Sequence, residues 1–181
     1  MNEKQKTVVL GLIFLFFLVL AYVENTFFFS YLTSVFSKSS PVLAVAVVFV
    51  HNVLVVSLIL LSMTFYVNLV LTFFPKRKHN YIVLEHPRIF ALVFTVMILV
   101  LSIFRASTLV YGRVEIGMLG WILLISTPNG LIEGYGIFLT LKKTFKRNMR
   151  MKDLAFIYSL FFAAAVLEVS FIQLLCSISA K

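Results

Sequence analysis

The chain has 181 residues, of which 61% are hydrophobic and only 13% are charged, with a formal net charge of +9. Soluble domains carry about 25% charged residues, so this composition excludes a soluble globular protein and indicates a lipid environment. A chain this short, filled by membrane spans of about 20 residues each, leaves no room for a soluble catalytic domain. The sequence therefore predicts an all-α integral membrane helical bundle of about five spans, forming a single transmembrane domain over residues 1–181.

Five apolar stretches follow one another along the chain and are interpreted as the spans. They cover roughly residues 8–23, 41–74, 88–111, 116–141 and 154–178. The first has the charged start and apolar centre of a signal peptide, but no small-x-small cleavage site follows it, so we expect a retained span. A polar-interrupted segment, residues 24–40, comes next. The second stretch is longer than one span requires, which predicts a strongly tilted helix or a helix broken near its middle.

The orientation of the spans is predicted from where Lys and Arg lie. Basic clusters precede span one, follow span two and follow span four, and these places share one side of the membrane if there are five spans. The positive-inside rule therefore predicts a multi-pass protein of the cell membrane with a cytoplasmic N-terminus and an outside C-terminus. Because the cations occupy short loops rather than a structured face, we expect the lipid bilayer as a partner and no nucleic acid.

The largest basic cluster follows span four and is expected to form a cytoplasmic loop that faces lipid. It contains Lys142, Lys143, Lys146, Arg147, Arg150 and Lys152. Near a membrane surface such cations bind anionic lipid headgroups with about 1 kcal/mol each. The same charges are already required for the predicted topology, and that role alone accounts for them.

Six polar side chains within the predicted spans are singled out, because an ionisable group there costs about 2.5 to 3.5 kcal/mol on insertion. They are His51, Asn52 and Asn68 in span two, Asn129 and Glu133 in span four, and Glu168 in span five. At a rise of about 1.5 Å per residue, His51, Glu133 and Glu168 all approach the midplane of the bilayer. Carboxylates at that depth must be protonated, paired or hydrated. The cluster is interpreted as a polar clasp that sets helix register, which is the commoner arrangement, or as an ion path or ligand site.

Pro128, Asn129 and Gly130 stand in the middle of span four. Proline removes a backbone donor and clashes with the preceding turn, whereas glycine accepts unusual backbone angles. We therefore expect span four to be broken into two pieces at these residues. Transporters use such breaks to direct half-helix ends at ions, and a simple kink packed against neighbouring helices is the alternative. The Gly130-x-x-x-Gly134 spacing also allows close helix approach.

The sequence contains no grouping that indicates catalysis. Its three histidines, His51, His79 and His86, are scattered, and no His/Cys spacing suits zinc. No glycine-rich loop follows a strand, and no Ser or Cys nucleophile has a local base. We therefore expect no enzymatic activity, no metal and no cofactor.

Several of these features occur together, in the same order, in one known family. Residues 49–56 (FVHNVLVV) resemble the "xNN" helix start of the stage II sporulation protein M family, and Asn68 falls where that family often has a second Asn. Residues 128–133 (PNGLIE) are similar to its Pro-His-Gly-x-x-Glu signature, and residues 163–168 (AAAVLE) to its terminal Ala-Ala-x-x-Glu. The likeness extends over roughly residues 8 to 175.

The chain departs from the family pattern at three positions. Asn129 replaces the usual His, His51 replaces the first Asn, and Leu69 stands where a Gly typically follows. The resemblance implies a small multi-span protein of bacteria or archaea; in spore-forming bacteria the named member anchors a peptidoglycan-remodelling complex. It also implies that Asn52, Asn129, Glu133 and Glu168 matter to the fold.

Midplane polar residues without a catalytic pattern lead to two functional expectations. The first is a non-enzymatic integral membrane scaffold or complex subunit with a buried polar core, homo-oligomeric or bound to other membrane subunits. The alternative is an ion channel or transporter that uses the broken span four and the midplane carboxylates. A permease-like subunit driven by a separate ATPase is a further form of this alternative.

Overall fold

The computed structural model of the protein describes residues 2–38, 40–73, 82–111 and 115–179. Within these residues the regular secondary structure is entirely helical. The elements are α1 (Glu3–Lys38), α2 (Pro41–Phe73), the short α3 (Ile82–Glu85), α4 (Pro87–Tyr111), a 3₁₀ turn (Ile116–Met118), α5 (Leu119–Phe145) and α6 (Met151–Ser179). The predicted all-α class is confirmed.

Four of the described helices contain segments that are long and apolar enough to cross a membrane. These segments are Lys4–Val23, Pro41–Phe73, Pro87–Phe104 and Met151–Ser170, in α1, α2, α4 and α6. Large apolar side chains are exposed along them, as expected where lipid rather than water is the surrounding medium. The protein is therefore a membrane-embedded helical protein, as its composition predicts.

Two helices are more continuous than the apolar pattern predicts. The backbone of α1 stays helical through the polar-interrupted segment to Lys38, and α2 runs without a break from Pro41 to Phe73. The alternative of a second span broken near its middle is therefore wrong. The physical reason is that α2 has no Gly or Pro after Pro41, and proline is well tolerated at the first helical position. The carbonyl of Ser40 accepts hydrogen bonds from the amides of Leu43 and Ala44 and starts the helix.

Helix α5 also corrects an expectation, because it is helical on both sides of Pro128 and through Asn129 and Gly130. Proline removes one amide donor from the ladder, while hydroxyl groups add bonds in the turn before it. Thr127 Oγ1 donates to the Leu123 carbonyl at 2.6 Å, and such side-chain bonds help transmembrane helices to accommodate proline. The expected division of span four into two pieces is not present in the secondary structure.

Helices α2, α5 and α6 contact one another and form the centre of the bundle, while α1 packs along α2 and α4 along α5. Small residues allow α5 to fit between its neighbours. A Cβ at Gly134 would lie 3.0 Å from Leu99 of α4, and a Cβ at Gly136 would lie 2.6 Å from the Phe161 ring of α6. Gly130, by contrast, has open space beside it. The close approach expected from the Gly130-x-x-x-Gly134 spacing is therefore made at Gly134 but not at Gly130.

The core of the bundle consists of two buried apolar clusters separated by a polar layer. The buried stripe of α2 recurs every fourth residue, at Ala44, Val48, Asn52 and Val56. Ala44 and Val48 belong to one cluster, with Ala165 and Val169 of α6. Val56 belongs to the other, larger cluster, with Leu141 of α5 and Ile157 of α6 among its members. Asn52 lies between the two.

Candidate functional site

A cavity of about 400 Å³ lies between α2, α4, α5 and α6, at the level of Asn52. Its wall combines apolar side chains with a set of polar ones. The polar residues are His51 and Asn52 of α2, Ser102 of α4, Ser126, Thr127, Asn129 and Glu133 of α5, and Glu168 of α6. Because Ser102, Ser126 and Thr127 are exposed, the cavity is open on the side that they form.

Glu133 is the centre of the hydrogen bonds in this cavity. Its Oε1 accepts a hydrogen bond from Asn129 Nδ2 at 3.0 Å and a longer one from Asn52 Nδ2 at 3.4 Å. Asn129 lies one helical turn before Glu133 on α5, whereas Asn52 is a buried residue of α2 that is only 9% exposed. The carboxyl group of Glu133 therefore joins α2 to α5.

The amide of Asn129 is satisfied on one side only. Its nitrogen donates to Glu133, while its Oδ1 is buried and has no hydrogen-bond partner among the described residues. A buried acceptor without a partner costs about 1–3 kcal/mol, and such atoms in native structures require an explanation. Oδ1 thus lacks the hydrogen bond that a buried amide oxygen ordinarily accepts, although Asn129 as a residue lines the cavity.

A second carboxyl group shares the cavity. Glu168 of α6 lines it together with Glu133, and the charges of the two side chains interact. Two like charges in a poorly solvated place are unfavourable unless a proton or a cation lies between them. His51 is next to Asn52 in the chain and lines the same cavity.

The chemistry that this set of groups can perform follows from its donor atoms. Carboxylate, amide carbonyl and hydroxyl oxygens are ligands for hard cations and carriers of protons. Among the described residues, no group of three or more His, Cys, Asp and Glu side chains has the arrangement of a metal site. The oxygen donors of the cavity are suited to protons or alkali cations.

The structure thus brings together five of the six polar residues singled out in the sequence: His51, Asn52, Asn129, Glu133 and Glu168. The sixth, Asn68, does not line the cavity. It lies about 24 Å further along α2, and its Nδ2 donates to the Thr64 carbonyl of the same helix at 3.0 Å. Of the residues at the expected helix break, Gly130 lines the cavity, whereas Pro128 is exposed and does not.

Sequence reasoning missed Ser102, which contributes the polar group of α4. Its hydroxyl donates to the Ile98 carbonyl at 2.9 Å, and its oxygen still has acceptor capacity toward the cavity. A lone serine in an apolar span is too common to be singled out. The helical spacing of Ile98, Leu99 and Ser102 on one face of α4 is the signal that could have indicated it.

The six basic residues of the predicted cytoplasmic loop lie in a different region of the protein. They form the end of α5, the turn to α6 and the first turn of α6, and they do not line the cavity. The basic loop and the polar cluster are therefore separate features.

Together these features define a membrane-embedded helical protein with a polar cavity between four of its helices. Comparison of the chain with protein-family models, with curated proteins and with solved structures found no match.

Proposed function

We propose that this chain is an ion-conducting or ion-transporting membrane protein in which a proton or an alkali cation occupies the cavity between α2, α4, α5 and α6. One observation carries the proposal: the carboxyl groups of Glu133 and Glu168, which come from two different helices, line the same cavity of about 400 Å³ inside a membrane-embedded bundle. A proton or an alkali cation there offsets one of the two carboxylate charges and relieves the repulsion between them. Ionisable groups inside membrane helices are costly to place there, and ion pathways are among the functional sites that they mark.

The proposal includes a five-span topology in the cell membrane, with the N-terminus in the cytoplasm and the C-terminus outside. Helix α5 then crosses the membrane as well, which agrees with its contacts to α4 on one side and α6 on the other. The excess of Lys and Arg at the end of α5 supports a cytoplasmic position for that end. Reporter fusions placed after residues 38 and 112 are expected to lie outside, and fusions after residues 80 and 148 in the cytoplasm.

Membership of the stage II sporulation protein M family is part of the same proposal. Its support is that Asn52, Asn129, Glu133 and Glu168, the positions which the resemblance singles out, line one cavity although they come from three helices. The replacement of the family's His by Asn129 changes the chemistry at that position from a titrating ring to an amide.

A flux measurement in proteoliposomes tests the transport proposal. Glu133→Gln and Glu168→Gln each remove one negative charge and keep the side-chain volume, and we expect either change to lower proton or alkali-cation flux at least about tenfold. Glu85→Gln is the matched control, because Glu85 is exposed and lies outside the cavity. Flux that persists in both cavity variants would refute the proposal.

Thiol accessibility gives a second, independent test. The single natural cysteine, Cys176, is first changed to Ser, and Thr127→Cys and Leu124→Cys are then compared on the same helix. Thr127 lines the cavity, whereas Leu124 is 66% exposed and apolar and does not line it. A membrane-impermeant thiol reagent is expected to modify Cys at 127 and to leave Cys at 124 unmodified. Equal protection of both positions would contradict a hydrated path.

A scaffold is the second candidate, and one observation favours it. The hydrogen bonds of Asn52 and Asn129 to Glu133 join α2 and α5 from within, as a polar clasp does. In this case the protein performs no catalytic or transport step and serves as a homo-oligomer or as a subunit of a larger membrane complex. Asn52→Val would then lower the amount of partner recovered by cross-linking. Glu133→Gln and Glu168→Gln would lower the stability of the protein, and neither the variants nor the wild type would show ion flux.

A further inference from the structure

Two backbone hydrogen bonds end helix α5 and order the turn that leads to α6. The amide of Asn148 donates to the Lys143 carbonyl at 3.2 Å, and the amide of Arg147 donates to the Thr144 carbonyl at 2.9 Å. This pair of bonds is a Schellman motif, in which one residue after the helix adopts the left-handed conformation. That residue is Arg147, with φ of 54°.

An arginine at this position is unusual, because glycine adopts the left-handed conformation freely and a side chain makes it less favourable. Among the described residues, Arg147 is the only non-glycine residue with positive φ. The backbone alone would be served better by glycine. What arginine adds is an exposed guanidinium group at the tip of the turn.

The start of α6 is also fixed, and it uses the one acidic residue of the region. The Asp153 carboxylate accepts a hydrogen bond from the Arg150 amide at 3.0 Å through Oδ2, the reciprocal arrangement of a capping box. Its Oδ1 lies 3.1 Å from Lys143 Nζ. Asp153 is the only acidic residue between Glu133 and Glu168. Its carboxylate already has partners, namely the ammonium group of Lys143 and the first amide of the helix start.

Four cations consequently project from a short and ordered turn. Lys146, Arg147, Arg150 and Lys152 are exposed, and among the described residues no carboxylate forms an ion pair with them, although Asp153 attracts Arg150 at longer range. Helix α6 becomes a candidate membrane-crossing segment at Met151, immediately beside them. The four charges are therefore held at the boundary between the apolar part of the bundle and its aqueous surroundings, at the level of lipid headgroups.

We propose that the α5–α6 turn is a binding site for the phosphate of anionic lipid headgroups, with Arg147 and Arg150 as its principal ligands. One guanidinium group binds phosphate through two parallel hydrogen bonds, from two N–H groups to two phosphate oxygens. An ordered turn fixes the backbone positions of the two arginines before lipid binds. Lys146 and Lys152 add attraction to an anionic surface. The site is separate from the cavity and does not depend on the function proposed for it.

Topology alone requires positive charge in this loop but no particular geometry, and this difference makes the proposal testable. Arg147→Lys keeps the positive charge and removes the ability to donate two parallel hydrogen bonds to one phosphate. Arg147→Gly keeps the turn, since glycine favours the left-handed conformation, and loses the side chain. The matched controls are Lys4→Gln and Arg88→Gln, which remove exposed cations near the starts of α1 and α4.

The full-length protein in mild detergent is titrated with phosphatidylglycerol or phosphatidylcholine, and bound lipid is measured by native mass spectrometry. We expect the wild type to prefer phosphatidylglycerol, with a preference that falls as salt is raised. Arg147→Gly and Arg150→Gln should each weaken phosphatidylglycerol binding about fivefold, and Arg147→Lys about twofold, without changing phosphatidylcholine binding. Both control variants should bind as the wild type does.

Three results would overturn the proposal. The first is equal retention of the two lipids by the wild type. The second is loss of phosphatidylglycerol in the Lys4 and Arg88 variants to the same degree as in the Arg147 variants. The third is displacement of the lipid by an equal concentration of inorganic phosphate, which would identify free phosphate as the ligand. Thermal unfolding of Arg147→Gly at or above the wild-type temperature establishes that a loss of lipid is not a loss of fold.

Discussion

Helix α5 passes through two different surroundings within about 12 Å of its length. Around Leu141, which is fully buried, it packs against apolar side chains such as Val56 of α2 and Ile157 of α6. Around Glu133 the same helix borders a cavity lined by carboxyl, amide and hydroxyl groups. The described residues of the buried cluster around Leu141 include no carboxylate and no amine, whereas the region around Glu133 contains two carboxyl groups and a cavity.

The two regions of α5 contribute differently to the stability and to the proposed function of the bundle. In a membrane, helices associate through close packing and hydrogen bonds, because lipid removes most of the hydrophobic driving force between them. The Leu141 region supplies that packing. The Glu133 region has a cavity lined in part by hydrogen-bond acceptors in place of close packing, so substitutions there should affect function more than stability.

The largest effect on stability is expected from Leu141→Ala, which opens a gap in the tight region. Large-to-small changes in packed cores cost about 2–5 kcal/mol of unfolding free energy. Leu124→Ala is the matched control on the same helix, because Leu124 is 66% exposed and its truncation leaves no internal gap. Unfolding in mixed micelles measures both. A similar cost for the two leucines would mean that the region around Leu141 is not tightly packed.

A smaller but sharper contrast is expected between two glycines of α5. Gly136→Ala places a Cβ 2.6 Å from Phe161 and should cost about 1–3 kcal/mol of unfolding free energy, because α5 and α6 must move apart. Gly130→Ala meets no atom within 4 Å and should be neutral or stabilising, since alanine is the better helix former. Thermal unfolding in detergent compares them. An equal loss in both variants would contradict the difference in packing.

The next effect concerns the hydrogen bond that links the two helices at the cavity. Asn52→Val removes one of the two amide donors to Glu133 and should cost about 0.6–1.7 kcal/mol of unfolding free energy, with a larger proportional effect on ion flux. Asn68→Val removes an amide that bonds within its own helix, so it should leave flux unchanged. Equal flux in the two variants would remove Asn52 from the functional site.

The smallest effect is expected for a polar pair at the edge of the apolar region. Ser57 Oγ lies 3.0 Å from Tyr158 Oη and joins α2 to α6. A double-mutant cycle of Ser57→Ala and Tyr158→Phe should give a coupling energy of about 0.6 kcal/mol in the free energy of unfolding, the average for hydrogen bonds between membrane helices. Flux should remain at the wild-type level in all three variants. A coupling near zero would show that the bond adds nothing to stability.

The accuracy of sequence reasoning differed between the parts of the candidate site. Depth along a span could be predicted from residue counts, and it correctly grouped His51, Glu133 and Glu168. Depth says nothing about which side of a helix a residue occupies. Asn52 and Asn68 differ by about 160° around α2 at 100° per residue, so they face nearly opposite ways, and this angle could have excluded Asn68.

The expected break at Pro128 failed for a related reason. Residue type alone suggests that Pro128 and Gly130 interrupt a helix. Whether they do depends on what surrounds the backbone there, and α5 stays helical where the Thr127 hydroxyl donates to the Leu123 carbonyl and where α4 and α6 contact the helix. The polar-interrupted segment after residue 23 is likewise part of α1, because a few polar side chains do not end a helix and residues 24–38 contain no Gly or Pro.

The sequence by itself determined that this is a membrane-embedded helical protein, because hydropathy sums over neighbouring residues and needs no knowledge of the fold. It also determined where the basic cluster lies, since charge is a property of position along the chain. Only the tertiary structure decided that Asn52, Asn129, Glu133 and Glu168 share one cavity and that Asp153 is taken up by Lys143. These outcomes depend on how each helix is rotated and packed against the others. Contacts between residues far apart in the chain determine that rotation and packing, so the local sequence does not contain it.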